Sequence, residues 1–463
     1  MINFKNMEIN RNTLRIFWIA VLLSGFYPIT YAQNIIKRDN RITDAVNMIS
    51  ADSMKVYVND LLKFNTRHNL SNKNSAERGI GAAAQYLERS IRRFSEKSVN
   101  TITSGIVNYR AGGRESRLGR EITLSNVIAT IHGEDKNDNR VIALLAHYDS
   151  RIDDNNDSTS FAPGANDNGS GVAALLEIVR VLSGYKIPIT VKVMFLSGEE
   201  HGLLGAAHMA SIAKKENWNL IAVLNNDMIG NSHSSNTDIR NNSLLRIFSE
   251  NIPFTESEAE SKERIFNSSE NDSPSRQLAR YIKETGERYV DNLMIKLIYR
   301  NDRFGRGGDH TPFSRNGFTA VRLCEYYENY DRTHQKVGLR DNKYYGDTPE
   351  GVDFEYVRKN CGVNLSAILN IAYAPQTPEN VRTNVSGLSN KTTITWEKPA
   401  KGIEPEGYYV LIRETDQSSW QKKIFVKGES VELPISKDNY FFGVQSVGKD
   451  GNESLIIFSR GSR

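Results

Sequence analysis

Five side chains able to bind a metal or move a proton stand where short apolar runs end. His147 and Asp149 follow the run 141–146, two residues apart and hence on one face of an extended chain. Glu199 and Glu200 follow the run 190–196, and Asp227 follows the run 220–224 within Asn225-Asn226-Asp227-Met228. A sixth, Asp167, lies in Gly164-Ala165-Asn166-Asp167-Asn168-Gly169-Ser170-Gly171, whose glycines allow tight backbone approach just before a helix. In an open α/β sheet, ligands bind beyond the C-terminal ends of the strands, so these groups converge on one crevice. Carboxylates gathered so closely repel one another unless cations sit among them. Imidazole with carboxylates suits zinc, whereas an all-oxygen set suits calcium or magnesium better. One further nitrogen ligand is wanted, and His334, His310, His201 and His208 are available.

The elements that must hold these groups are legible in outline. Residues 42–97 read as helical, with Val56, Leu61 and Leu62 and then Ala83, Tyr86, Leu87 and Ile91 at helical spacing. Segments 99–109 and 123–131 alternate like strands across the polar loop 111–120. The runs 141–146, 190–196, 220–224 and 320–323 are short and apolar, and helix-like segments 172–182 and 203–215 separate the first three. That alternation predicts an α/β fold with a mixed, largely parallel sheet sandwiched by helices. The Ser-, Asn- and Glu-rich stretch 232–275 shows little pattern and is expected to leave the sheet as a lid or rim of the site.

Taken singly, each chemical feature has a plainer explanation. A His-x-Asp pair at a strand end is more often a satisfied polar pair, and paired glutamates opening a helix usually serve only its dipole. Their order on successive strand ends is what argues against those explanations. His147-Tyr148-Asp149, the glycine-rich 164–171, Ser197-Gly198-Glu199-Glu200-His201-Gly202-Leu203, Asn226-Asp227-Met228-Ile229-Gly230 and Gly308-Asp309-His310-Thr311-Pro312-Phe313 together resemble the motif series of metallopeptidase family 28, over roughly residues 45–372. This family includes the bacterial leucyl aminopeptidases. The resemblance implies two Zn2+ per chain bridged by Asp167, one also held by His147 and Asp227 and the other by Glu200 and His334. It implies Glu199 as general base and Asp149 as the partner that orients His147. His334 departs from the family's more familiar pattern, which puts a Thr after that histidine, and His310 is its rival.

The activity so implied is that of an aminopeptidase acting on peptides with free N-termini. A carboxypeptidase or dipeptidase on the same centre, a single-zinc glutaminyl cyclase and a non-catalytic binding relative are the alternatives. Tyr326, Tyr327, Arg303 and Arg306 are oxyanion-donor candidates by position, and the two arginines equally suit a substrate carboxylate or surface acids.

The remaining features bound the chain's context. At 463 residues it is too long for one ordinary core. A basic stretch (Lys5, Arg11, Arg15), an apolar run 16–23 and Thr30-Tyr31-Ala32 read as an export signal, 1–32, with an uncleaved anchor as the alternative. This predicts a secreted or periplasmic protein with no membrane span after cleavage. The formal charge is +4, and about +2 remains once the signal is removed, so no nucleic-acid partner is implied. Cys324 and Cys361 are read either as a disulfide pair or as two buried thiols. Residues 33–374 form the expected peptidase domain. After Pro375 and Pro378 the character changes to alternating strands at 392–396, 408–413, 422–426 and 440–447. Trp396, Gly407-Tyr408-Tyr409-Val410, Leu433 and Tyr440 make 375–463 resemble an all-β fibronectin type III-like sandwich. Oligomeric state is left open.

Overall fold

The computed structural model describes residues 36–462, and the expected export signal lies outside them. Three helices come first: α1 (Asn40–Asn47), α2 (Ala51–Leu62) and α3 (Gly79–Ser95). Asp39 and Ser50 cap the first two, their side chains accepting the backbone N–H groups of Arg41 and Ser53. They occupy most of the stretch read as helical, but α2 and α3 are separated by a loop that buries Arg67, His68 and Asn69. Strands β1 (Ile102–Gly112) and β2 (Glu121–Ile131) then form an antiparallel hairpin with Ile102 opposite Ile131. The α/β alternation follows as β3 (Arg140–His147), α4 (Gly169–Leu182), β4 (Thr190–Leu196), α5 (Leu204–Lys215) and β5 (Asn219–Asn226).

The next stretch differs from the sequence reading. Within 232–275 the chain re-enters the sheet as β6 (Leu244–Ser249), burying Leu245 and Ile247, before the surface helix α6 (Glu258–Asn267). The apolar core of β6 is only five residues long and is flanked by Asn and Ser, which hides it in the composition. There follow α7 (Pro274–Tyr289), β7 (Met294–Ile298), α8 (His310–Arg315), β8 (Ala320–Glu325), the small hairpin β9 (Gly338–Arg340) and β10 (Lys343–Tyr345), and α9 (Phe354–Tyr373).

Eight strands make one sheet in the order β1-β2-β4-β3-β5-β8-β6-β7. The central strands β4, β3, β5 and β8 are mutually parallel, while β2 and β6 join them antiparallel. Along β3 the side chains alternate between two layers. Ile142, Leu144 and Ala146 pack into the larger core with α1–α4, α7 and α9, whereas Ala143 and Leu145 face α5 and Phe313 of α8. A helix layer on each face gives the central strands their uniformly apolar sequences. Cys324 in β8 and Cys361 in α9 are free, buried thiols. Among the described residues, no helix is long and apolar enough to cross a membrane.

Beyond α9 the chain forms β11 (Glu379–Asn384), β12 (Thr392–Glu397), β13 (Gly407–Glu414), β14 (Lys422–Val426), β15 (Ser430–Leu433), β16 (Tyr440–Val447), β17 (Ile457–Phe458) and β18 (Arg460–Ser462). These pack as two four-stranded sheets, β15-β12-β11-β18 and β14-β13-β16-β17. Trp396 lies between them, its ring edge-on to Tyr408 at 5.3 Å, and Tyr440 opens β16. Buried charge fastens this sandwich to the rest. Glu453 accepts from Arg288 of α7 at 2.8 and 2.9 Å, and Asp272 accepts from both Arg280 (2.8 Å) and Arg413 (2.5 Å). On the N-terminal side Arg41 reaches Asp450 at 2.9 Å, and Asn452 donates to Asp39 at 3.2 Å.

Candidate metal centre

The sheet brings the sequence candidates together because three adjacent parallel strands end level. His147 pairs with Leu196 and Leu145 with Asn225, so the residues just beyond β3, β4 and β5 share one rim. His147 Nδ1 donates to the Asp149 carbonyl at 3.1 Å and lies 3.6 Å from Asp149 Oδ1. That leaves the lone pair on Nε2, which is buried without a hydrogen-bond partner and faces Asp167 Oδ1 (3.3 Å) and Asp227 Oδ1 (3.7 Å). The Glu199 carboxylate approaches the same spot: ligand atoms of His147, Glu199 and Asp227 lie within 4.8 Å of one another, as do those of His147, Asp167 and Glu200.

Asp167 divides its oxygens. While Oδ1 faces His147, Oδ2 lies 3.0 Å from His334 Nε2, which is itself 2.8 Å from Glu200 Oε1. Of the four histidines weighed from sequence, His334 reaches this cluster. His310 instead contacts the Asn301 carbonyl through Nε2 (2.8 Å), His208 stacks on Tyr109, and His201, though it lines the cavity, has its ring nitrogens against Asn69 (2.9 Å) and the Asn155 carbonyl (3.2 Å). His334 adopts φ +56° in the loop after β8.

The loop carrying Asp167 is held from several sides. Asp347 accepts the N–H groups of Asn166 (2.8 Å) and Asp167 (2.7 Å). Arg67, fully buried, donates to the carbonyls of Tyr148, Pro163 and Gly164. Asn168 caps α4 through the Gly171 N–H and ties to the Asn226 carbonyl. A Cβ at Gly171 would meet Asn168 Oδ1 and the Asn226 carbonyl at 2.5 Å, so only glycine lets these strand ends approach.

Further side chains, missed in the sequence, complete the surroundings. Asn69 donates to Asp149 Oδ2 (2.6 Å) and approaches His201 Nδ1 (2.9 Å), while Asp149 also accepts the N–H groups of Glu199 (3.4 Å) and Glu200 (3.2 Å). Arg151 Nε pairs with Glu200 Oε2 at 2.8 Å and its Nη2 lies 2.8 Å from His334 Nδ1. A guanidinium only donates, so this contact makes His334 Nδ1 the acceptor and puts the ring proton on Nε2. Arg322 sits 3.1 Å from Asp227 Oδ2. Asp309 is buried with both carboxylate oxygens unpartnered. Only the pairing of residues distant in sequence reveals these roles; Asp309 alone carried a signal, as part of a quoted motif.

The electrostatics follow from crowding. Burial alone would lower His147, but the Glu199, Asp149, Asp167 and Asp227 carboxylates outweigh it and hold the imidazole well above its usual range. Burial pushes the Glu199 carboxyl up, and Asp227 and Glu200 add to it against the pull of His147. Burial likewise raises Asp309 to about 8 and Asp347 to about 7. Divalent cations relieve such repulsion, and the unpartnered lone pair of His147 beside two carboxylate oxygens fits zinc's N/O preference.

A cavity of about 500 Å³ opens over this cluster, with Arg117, Arg151, Arg303 and Arg306 among its walls. Tyr326 and Tyr327 are not among its lining residues; they pack edge-on against each other.

Residues 126–343 match the model of peptidase family M28. A probable zinc metalloprotease of Leptosphaeria maculans is 37% identical over 421 residues, covering 91% of this chain and 97% of its own. The chain belongs to peptidase family M28. A second relative, a probable zinc metalloprotease of Pyrenophora tritici-repentis, is 36% identical over 428 residues, covering 90% of this chain and 97% of its own. The M28 protein described here is therefore a zinc metallopeptidase with peptide substrates. The Legionella pneumophila LapA structure shares its fold, with a TM-score of 0.52 at 17% identity over 76% of this chain and 80% of that one.

Proposed function

We propose that this M28 peptidase is a secreted or periplasmic two-zinc aminopeptidase, carrying a fibronectin type III-like module at 375–463 that serves as a buttress or spacer. The observation that carries the reading is Asp167, whose two oxygens face separate His–carboxylate pairs. In this reading His147 and Asp227 would hold one ion and Glu200 and His334 the other, with Asp167 available to both. Zinc held by these residues would polarise a peptide carbonyl and make water acidic enough to give up a proton near neutrality. Glu199 would take that proton at its carboxylate and return it to the leaving amine. Asp149 keeps the Nδ1 proton of His147 in place so that Nε2 stays a ligand.

Hydrolysis of a panel of aminoacyl-nitroanilides by the purified chain, with zinc content measured on the same sample, tests this. Close to two zincs per chain with activity lost in Glu199→Gln, zinc still bound, is the expected result. Two zincs without hydrolysis of any free-amine substrate would favour a carboxypeptidase. One zinc with cyclisation of N-terminal glutamine would point to a glutaminyl cyclase.

A further inference from the structure

We infer that Arg117 and Arg306 select substrates bearing a carboxylate on the leaving side of the scissile bond, so that di- and tripeptides with a free C-terminus are preferred. The inference deepens the aminopeptidase reading and rests on it.

The two edge strands of the sheet, β1 and β7, are each followed by a loop that returns over the crevice. Arg117 lies on the first loop and Arg306 on the second, and both line the cavity that holds Asp167 and Glu199. The cavity's other two arginines are already committed. Arg151 is bound to Glu200, and Arg303 to Asp302 and Glu328 at 3.2 and 2.7 Å. Arg117 and Arg306 have no carboxylate partner among the described residues. Arg117 makes one long contact, 3.5 Å, to the Glu200 carbonyl, which sets its guanidinium beside the metal centre.

The carboxylates of the cavity are in the opposite condition. Asp167 faces His147 and His334, Glu200 faces Arg151 and His334, and Asp227 faces Arg322, which leaves only Glu199, the proposed base, without a cation of its own among them. Apart from the base, the recognition capacity left open is therefore for an anion. A guanidinium presents a planar fork of N–H donors that matches a carboxylate in two hydrogen bonds. An extended peptide advances about 3.5 Å per residue, so the terminal carboxylate of a di- or tripeptide ends within the reach of loops bordering the same cavity.

The test compares Leu-Ala and Leu-Ala-Ala with their C-terminal amides, using the zinc-loaded full chain. The free acids are expected to show kcat/KM on the order of tenfold or more above the amides. Raising ionic strength should narrow that ratio, because both guanidinium groups are solvent-exposed. In the double variant Arg117→Gln/Arg306→Gln the ratio should fall towards one. An unchanged melting temperature would show that the variant folds, and the single variants serve if it does not. Equal hydrolysis of acids and amides by the parent chain, or a ratio that survives the double substitution, would overturn the inference while leaving the aminopeptidase intact. Failure to cleave any of these free-amine peptides, or the nitroanilides, would sink the aminopeptidase reading itself.

Discussion

Arg322 Nη2 lies 3.1 Å from Asp227 Oδ2, the oxygen turned away from His147, and both side chains are buried. The other oxygen, Oδ1, faces His147 Nε2. A carboxylate shared in this way offers one oxygen, not two, to a cation. Arg322 is itself fixed by Asp302, which its Nη1 meets at 2.8 and 3.1 Å, and Asp302 also pairs with Arg303. The rotation of Asp227 is thus set by a chain of charges running from β8 to the rim of the cavity.

Arg322→Lys keeps the charge and loses the two-pronged contact. Zinc affinity is expected to fall on the order of 10–100-fold, as when partners behind a metal ligand are removed. Competition with a chelator of known affinity checks this. Arg322→Gln should instead destabilise the fold by about 3–5 kcal/mol, because it leaves buried Asp227 without its guanidinium and Asp302 with Arg303 alone.

Arg151 acts in the opposite sense. It occupies Glu200 and His334, and its hydrogen bond favours the ring tautomer that faces Glu200 with a proton. A cation between those two residues requires the other tautomer and a displaced guanidinium. Arg151→Met is therefore expected to tighten the binding of one zinc by roughly a factor of ten. Calorimetric titration of the metal-depleted chain should resolve the change, and weaker binding would contradict it.

Asp347→Asn turns one of two acceptors into a donor against the N–H groups of Asn166 and Asp167. A buried N–H left unpaired costs about 1–3 kcal/mol. The expected outcome is a lower urea midpoint together with fewer zincs bound per chain, measured at equal protein concentration.

Glu250 supplies a pH effect far from the metal ligands. Burial raises its pKa from the ordinary 4.5 to about 7, against one weak hydrogen bond from Ser275. Between those values the folded chain binds more protons than the unfolded one, so stability falls as pH rises from 4.5 to about 7. The shift corresponds to about 3 kcal/mol in total. Urea unfolding at pH 5 and pH 8 should show this loss in the parent and much less of it in Glu250→Gln.

Much of the centre was legible because its residues follow apolar runs whose order in the chain matches their order of use. His147, Glu199, Glu200 and Asp227 needed no tertiary information to be nominated. Arg322, Arg151, Asn69 and Asp347 did, since each acts on a partner tens to almost two hundred residues away. Helix α9 escaped the sequence reading for a different reason. It is buried nearly all round, with Asn360, Asn364, Ser366 and Asn370 inside, so no polar stripe marks it as amphipathic. The strand β6 was lost in a polar context, and only its pairing with β8 and β7 gives it away.

The seam between the first helix and the sandwich bears on how the chain reaches its native state. Arg41 meets Asp450, and Asp39 meets Asn452, across more than 400 residues. Contacts this remote close late, after a large loss of loop entropy. Before residues 450–452 are in place, the segment ahead of α1 has only its contacts to α7 and the loop after it, such as the Asp39 N–H to the Tyr289 hydroxyl. The clasp therefore closes only once both ends are present, and removing residues 39–41 or 450–452 undoes it.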